Sequence, residues 1–493
     1  MLLADIQRWL ITAEIRGEAS TAVHGIAADS RRVKPGDLFI CLPGFTVDGH
    51  DFAEQAVQKG ACALLVERFL PLAVPQLRVT DTRRAMAIIA DRFFRQPTQQ
   101  LRLIGVTGTN GKTTVTYLLE KIFSDAGHKT GLIGTIRHKV GDTWIPSHNT
   151  TPDALDLQQM FRQMVDAGAD YAVMEVSSHA LQLGRVRGCF FRTAVFTNLS
   201  RDHLDFHGTM EEYLWAKSLL FSGLGNSYGD VTQFAVLNAD DPAADRLAQV
   251  TAQPVVTYGV RKPADVKALK MELRPDGTVV DVETFHGAIR LRLQLVGLFN
   301  VYNALAAMTV ALLEGLDLEQ IGASLEQVTG VPGRFERIDE GGDIHVIVDY
   351  AHTPDSLQNV LQAIRGFSPG RIICVVGCGG DRDRGKRPLM AQVAVEYSDL
   401  AVFTSDNPRS EDPERILADM AAGVLNQSGR WISIVDRREA IFEAIRRAKA
   451  GDTVLIAGKG HETYQIVGQQ TLPFDDREVA RLALQERRKS GER

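Results

Sequence analysis

The chain has 493 residues, 44% of them hydrophobic and 24% charged, with a formal net charge of −6. That length holds about three ordinary domains, and the composition is that of a globular protein rather than a disordered or fibrous one. The acidic balance supplies no chain-wide attraction for nucleic acid, no apolar run reaches membrane-span length, and the first residues lack the basic start and long apolar stretch of a secretion signal.

Residues 1–85 read as a small α/β unit. Val33-Lys-Pro-Gly-Asp37 is a turn, residues 38–42 and 61–66 are short apolar strands, and residues 52–58 are helical. The tetrapeptide Asp29-Ser30-Arg31-Arg32 has two readings: a site for an anion such as a diphosphate, or a polar turn. The five cysteines are scattered, and Cys374 and Cys378 have no second pair to complete a zinc site. Reduced thiols in a cytoplasmic protein are the expectation.

Residues 86–332 alternate apolar strands with amphipathic helices, which predicts a mainly parallel sheet. Strands are expected at 101–106, 171–176, 193–197 and 234–238, and helices at 115–123, 155–167, 210–221 and 297–313. Residues 259–295 read as β-rich, with Asp276-Gly277 as a hairpin turn. Between the first strand and first helix lies Gly-Val-Thr-Gly-Thr-Asn-Gly-Lys-Thr-Thr, residues 105–114. A glycine loop between a buried strand and a helix aims backbone N–H groups at a phosphate. Lys112 then reaches the outer phosphates and the Thr113 hydroxyl suits Mg2+. Val106 stands where the common phosphate-loop pattern has glycine, and Gly108 lies inside the loop instead.

Two further places carry chemistry. Glu175 closes a strand of the same sheet, either as a ligand of the nucleotide's Mg2+ or as a structural carboxylate capping the next helix. His203, Asp205 and His207 fall within five residues after a strand, and His203 is the chosen metal ligand. Lys217 lies among apolar neighbours on a helix, where spacing alone favours a snorkelling side chain. An ammonium is repelled by a metal ion, so a metal role for Lys217 requires its carbamate.

Residues 333–493 form a third unit with strands at 344–348, 372–376, 400–404 and 454–457. Ligands of open parallel sheets bind beyond the carboxyl ends of the strands. Loops 377–387, 405–409 and 458–462 are therefore site candidates, and the polar end from Arg487 onward is expected to fray.

Several stretches together resemble the Mur ligases, ATP-dependent amide-forming enzymes of peptidoglycan precursor synthesis. They are Gly-Thr-Asn-Gly-Lys-Thr-Thr at 108–114, Glu175, Asn198 with Asp202-His203, residues 213–221, Asn300-Val-Tyr-Asn303, Pro332-Gly-Arg334-Phe-Glu336 and Asp349-Tyr-Ala-His352. The match runs nearly end to end. Asp406-Asn407-Pro408-Arg409, Gly379-Gly-Asp-Arg382-Asp-Arg-Gly-Lys386 and Gly458-Lys-Gly-His-Glu462 are similar to the diaminopimelate-adding members.

The resemblance implies three α/β domains: a small N-terminal UDP-substrate domain over 1–85, a central phosphate-loop domain over 86–332, and a C-terminal Rossmann-like amino-acid domain over 333–493. It implies ATP on Gly108, Thr109, Asn110, Gly111, Lys112, Thr113 and Thr114, with Asn303, Arg334 and Asp349 on the nucleotide or its phosphates. Mg2+ falls to Thr113, Glu175, His203 and carbamoylated Lys217, and the catalytic set is Lys112, Glu175, His203 and Lys217. UDP-N-acetylmuramoyl-L-alanyl-D-glutamate falls to Ala28, Ser30, Phe45, Thr46, Val47, Asn149, Thr150, Thr151, Ser177, Leu183 and Arg185. Members of this type can have Gln where Leu183 stands; here Gln182 is adjacent. meso-2,6-Diaminopimelate falls to Arg382, Asp406, Asn407, Pro408, Arg409, Gly458 and Glu462.

The implied reaction activates the D-glutamate carboxylate as an acyl phosphate and transfers the acyl group to the diaminopimelate amine. Arg409 suits the distal carboxylate that separates diaminopimelate from lysine, because guanidinium and carboxylate pair at two points. Its alternative is a surface arginine near Glu411 and Glu414. The rival functions are a lysine-adding or folate-polyglutamate ligase, and a phosphate-loop regulatory or transport protein that binds nucleotide and switches shape. The enzyme is expected to be a cytoplasmic monomer.

Overall fold

The computed structural model describes residues 1–491 apart from 45–46, 228–230 and 275. The chain forms two compact units, one of residues 1–105 with 128–192 and one of residues 106–127 with 193–493. Among the described residues no helix is long and apolar enough to cross a membrane.

The first unit carries a five-stranded sheet in the order Glu14–Arg16, Gln76–Arg78, Ala63–Val66, Asp37–Ile40, Gly25–Ala27. The first pairing is antiparallel and the rest are parallel. Every residue of Asp37–Ile40 and Ala63–Val66 is buried, as expected of parallel strands covered on both faces. Leu38, Ile40 and Leu65 pack with helices Leu3–Trp9 and Thr82–Phe93. Phe39, Cys41 and Leu64 face the opposite way, toward helix Ala53–Gln58. The two-residue side-chain period thus divides each strand between two cores. In the same unit Tyr171–Glu175 pairs parallel with Thr130–Ile133, and Arg137–Val140 and Thr143–Pro146 form an antiparallel pair.

The second unit holds a parallel run of residues 193–196 of strand Phe191–Phe196, then Phe234–Asn238, Val255–Gly259 and Val266–Arg274. Antiparallel strands Gly277–Thr284 and Gly287–Leu293 extend it, and the expected hairpin forms with Arg274 opposite Gly277. Helix Leu298–Leu313, alanine-rich and buried along nearly its whole length, packs on helix Lys112–Asp125. A separate six-stranded sheet runs Glu336–Ile338, His345–Asp349, Thr453–Ala457, Ile372–Val376, Leu400–Phe403, Trp431–Ser433. Only its first pairing is antiparallel. The central strands therefore share one direction, and the loops after Asp349, Val376, Phe403 and Ala457 gather at one edge.

Of the end expected to fray, residues 492–493 lie outside the described residues. Helix Asp476–Ser490 is continuous, and Arg487 does not fray. Its guanidinium is buried and donates to the carbonyls of Ile445 and Ala448 at 3.0 and 2.8 Å.

Candidate functional site

In the second unit, Gly108 and Gly111 adopt φ of 143° and 87°, backbone that side-chain-bearing residues disfavour. Neighbours close the space as well: a Cβ on Gly108 would meet the Thr197 hydroxyl, and one on Gly111 the Asn303 side-chain oxygen Oδ1. The loop is bound on its outer side by the segment after strand Phe191–Phe196. Asn198 Oδ1 accepts from Asn110 N at 3.0 Å, and Thr197 and Asn198 side chains donate to Asn110 O at 2.6 and 3.1 Å. Lys112 Nζ lies back on the carbonyls of Gly108 and Thr109 at 2.9 and 2.8 Å.

Asn110, Gly111, Thr113, Thr114, Asn303, Arg334 and Asp349 all line one cavity of about 470 Å³. Gly108, Thr109 and Lys112 belong to the loop beside it but not to its wall. Arg334 Nη2 donates to the Thr113 hydroxyl at 3.0 Å and the guanidinium lies 4.4 Å from the Tyr350 ring centre. Its buried Nε has no hydrogen-bond partner among the described residues, and such a donor calls for an anion or a carbonyl. Asp349 accepts from the backbone N–H of Phe335 and Ala351 at 2.6 and 2.7 Å. Burial nevertheless raises its pKa, against the pull of Arg334.

The cavity also includes residues that the sequence reading missed: Asp240, Arg261, Leu273, Phe299 and Tyr302. Asp240 follows strand Phe234–Asn238, so the carboxyl-end rule was a usable signal. It accepts from the N–H groups of Val260, Arg261 and Lys262 at 2.7, 2.9 and 2.7 Å and from the Tyr302 hydroxyl at 2.7 Å. Burial alone would raise its pKa, but these donors hold it below the usual carboxylate value.

Lys217 does not snorkel. It is 1% exposed, donates to Gly108 O at 2.8 Å, and lies 4.2 Å from the Tyr213 ring centre. Burial, with Lys112 adding repulsion, pushes its pKa well below the usual lysine value. The three-ligand cluster is dispersed: Asp205 is exposed, and His207 is buried with its ring 5.0 Å from that of Tyr213. His203 has φ of 56° and places Nε2 3.3 Å from Asp202 Oδ2. Asp202 is the buried hub, 3.3 Å from Lys386 Nζ and 3.4 Å from His352 Nε2. Burial opposes its charge, but Lys386 and the two histidines hold its pKa well below normal.

The carboxyl-edge loops of the six-stranded sheet also converge. A Cβ on Gly379 would lie 2.9 Å from Arg409 Nη1 and 3.8 Å from Arg382 Cγ. Burial lowers the Arg409 pKa, and the Arg382 charge lowers it further. Asn407 Nδ2 and Lys459 Nζ both donate to Glu462 Oε2, at 2.8 and 2.9 Å. Asp406 is buried; Lys459 and Arg437 overcome desolvation and keep its pKa low. Pro408 is buried beside Gly380, and a Cβ on Gly458 would lie 2.7 Å from Asp406 Oδ2. Lys459, a fully buried cation, had been missed because its partners lie 52 residues away at Asn407 as well as nearby at Glu462.

Three family profiles match: "Mur ligase family, catalytic domain" over residues 22–94, "Mur ligase middle domain" over 106–311, and "Mur ligase, glutamate ligase domain" over 333–460. The chain belongs to the Mur ligase family. It is 58% identical over 467 residues to the UDP-N-acetylmuramoyl-L-alanyl-D-glutamate–2,6-diaminopimelate ligase of Geobacillus thermodenitrificans (strain NG80-2), covering 94% of this chain and 96% of that one. It is 52% identical to the ligase of the same description from Listeria innocua serovar 6a (strain ATCC BAA-680 / CLIP 11262), covering 96% of each. A solved structure described as a UDP-N-acetylmuramoyl-L-alanyl-D-glutamate–2,6-diaminopimelate ligase superposes with a TM-score of 0.69 at 36% identity, covering 99% of both chains.

In the first unit of this Mur ligase, Thr151 ties several predicted residues together. Its hydroxyl donates to Glu175 O at 2.8 Å and accepts from Ser177 N at 3.1 Å, while Arg185 Nη1 donates to Thr151 O at 3.0 Å. Ser177 Oγ accepts from Ala180 N and caps helix Ser178–Gln182. The N-cap of that helix is thus Ser177, the residue two beyond Glu175. Glu175 is 1% exposed, and its two oxygens accept from the N–H and hydroxyl of Thr135 at 2.8 and 2.9 Å. Thr135 Oγ1 lies 3.0 Å from Thr150 Oγ1. Asn149 and Val47 are exposed, Ala28 and Leu183 half-buried, and Phe45 and Thr46 lie outside the described residues. Ser30 is buried and donates to Gln55 Oε1 at 2.7 Å. The flanking arginines are already paired, Arg31 with Asp29 and Arg32 with Asp156. Both pairs are solvent-exposed.

Proposed function

We propose that this Mur ligase is an ATP-dependent, ADP-forming amide ligase of peptidoglycan precursor synthesis in the cytoplasm. It adds meso-2,6-diaminopimelate to the D-glutamate γ-carboxylate of UDP-N-acetylmuramoyl-L-alanyl-D-glutamate. The observation that carries the choice of amino acid is the convergence of Arg409 and Arg382 over Gly379, beside Glu462. Near-full-length likeness to ligases of that description supports the same reading.

The segments 1–85, 86–332 and 333–493 divide the work: nucleotide sugar, ATP and amino acid. ATP occupies the cavity behind residues 108–114, with Asn303, Arg334 and Asp349 on its wall. Thr113, Glu175, His203 and Lys217 would hold Mg2+. The buried hydroxyl and carboxylate are hard donors of the kind that ion takes. Lys217 joins them only as a carbamate, and burial that favours its neutral amine favours uptake of CO2. When bound, Mg2+ offsets the negative charge of the phosphates.

A carboxylate is a poor acylating agent, because resonance and charge both repel the amine. In the first step a γ-carboxylate oxygen bonds to the terminal phosphorus of ATP, and the bond to ADP breaks. Two anions meet here, so Lys112 and the N–H groups of the loop stabilise the gathering charge. In the second step the diaminopimelate amine bonds to the acyl carbon, inorganic phosphate leaves, and the nitrogen gives up its surplus protons. Residues 149–151, Ser177 and Arg185 orient the muramoyl dipeptide, while Arg409 and Arg382 take the distal carboxylate.

The test is to incubate the protein with all three substrates and identify the product by mass spectrometry. A UDP-muramoyl tripeptide ending in diaminopimelate is the expected outcome. Nucleotide hydrolysis without a coupled product would favour the regulatory alternative.

A further inference from the structure

A buried arginine, Arg437, bonds to the chain just before two of the loops proposed to form the amino-acid site. The two loops proposed to hold diaminopimelate, 405–409 and 458–462, follow strands Leu400–Phe403 and Thr453–Ala457. These strands are not neighbours; Ile372–Val376 lies between them. Pairing between the two strands therefore does not fix the bases of the loops against each other, although the hairpin after residue 462 does bond to Arg409 farther out, through Ile466 O and Gly468 N.

Arg437 spans the gap. It opens helix Arg437–Arg447, whose N-cap is Asp436, and its side chain is fully buried. Nη1 donates to Ser405 O at 3.4 Å and Nη2 to Ala457 O at 2.9 Å. Ser405 immediately precedes Asp406, and Ala457 immediately precedes Gly458. The remaining face of the guanidinium grips Asp476 with bonds of 2.8 and 2.7 Å. The rigid fork of a guanidinium serves two carbonyls and a carboxylate at once; a lysine ammonium is a point donor and cannot span them in this geometry. At the other end of the same loops, Lys459 and Asn407 join on Glu462. The loops are thus tied at the base by Arg437 and at the tip by Lys459.

We infer that Arg437 is a positioning residue for the amino-acid site, setting the separation of loops 405–409 and 458–462 and so the distance between Arg409 and Glu462. This rests on the proposed assignment of those loops to diaminopimelate. A displacement near 1 Å at a pocket costs up to roughly a hundredfold in rate, so a slack base is felt at the ligand.

The experiment compares R437K, R437M and D476N with the unaltered protein, measuring KM for meso-diaminopimelate, ATP and the UDP-dipeptide, with thermal midpoints. R437K retains a charge for Asp476 but not the fork. It should raise the diaminopimelate KM about tenfold while the other two KM values stay within about twofold. R437M should raise it further, and D476N should lower the midpoint with a smaller KM change. Should R437M not fold, R437K and D476N decide. The inference is overturned if all three KM values rise together, if R437K leaves the diaminopimelate KM unchanged, or if D476N matches R437K. If the unaltered protein does not use diaminopimelate at all, the functional assignment fails first, which is a separate result.

Discussion

Arg409 sits in a left-handed backbone turn, φ 52°, that a β-hairpin holds in place. Its N–H donates to Ile466 O at 3.0 Å, and its carbonyl accepts from Gly468 N at 2.7 Å. Its side chain is anchored separately, Nη1 donating to Gly380 O at 2.7 Å, which suits the guanidinium to the distal carboxylate that lysine lacks. R409A should lower kcat/KM for diaminopimelate by roughly 30- to 800-fold, the equivalent of ~2–4 kcal/mol, with the ATP KM little changed; phosphate-release kinetics measure it. Lys217 gives a second prediction at this scale. Protein exposed to 13C-bicarbonate should show a carbamate carbonyl resonance that K217A lacks, and equal spectra would remove the modification from the account. Glu411 supplies a pH dependence. Its hydrogen bonds to the buried Arg387, at 3.1 and 2.8 Å, hold its pKa down to about 2 from an ordinary 4.5. A carboxyl depressed in the folded state stabilises fully above its unfolded pKa and loses that contribution as pH falls from about 4.5 toward about 2. E411Q should be less stable by about 2 kcal/mol near neutrality and show a flatter acid limb in denaturant titrations.

Among elements, the turn after strand Val255–Gly259 is held by one carboxylate, Asp240, through three backbone N–H groups. Freeing that turn loosens the wall that carries Arg261. D240N should raise the ATP KM by about five- to tenfold, the size of one or two lost hydrogen bonds, without altering the amino-acid preference. Gly333 tests another junction. It has φ of 66°, and a Cβ there would lie 2.5 Å from the Gly460 carbonyl carbon. G333A should therefore cost at least ~1 kcal/mol in thermal unfolding. Elements buried on both faces were easiest to read from sequence: strand Ile372–Val376 lies where its apolar run predicts, and the central helices begin and end within a few residues of expectation. Short elements were not legible. Glu14–Arg16 and Gln76–Arg78 span three residues each, too few for a period to show. Hairpin strands Tyr464–Val467 and Gln470–Pro473 carry no buried apolar face, so no core-facing pattern marks them in the sequence.

For the molecule as a whole, the phosphate loop and the Arg409 motif were visible because their chemistry is written in consecutive residues. Arg437, Lys459 and Asp202 were invisible as a group because their partners arrive from strands and helices far along the chain. The central claim is that nucleotide cleavage in one part of the chain is spent only when a muramoyl dipeptide and a two-carboxylate amino acid are both present. The direct measurement is ADP release with ATP and UDP-N-acetylmuramoyl-L-alanyl-D-glutamate, adding either meso-diaminopimelate or L-lysine, and repeated without the UDP-dipeptide. The account predicts sustained ADP release with diaminopimelate, little with lysine, and none above background without the dipeptide. Equal turnover with lysine, or turnover indifferent to the dipeptide, would contradict it.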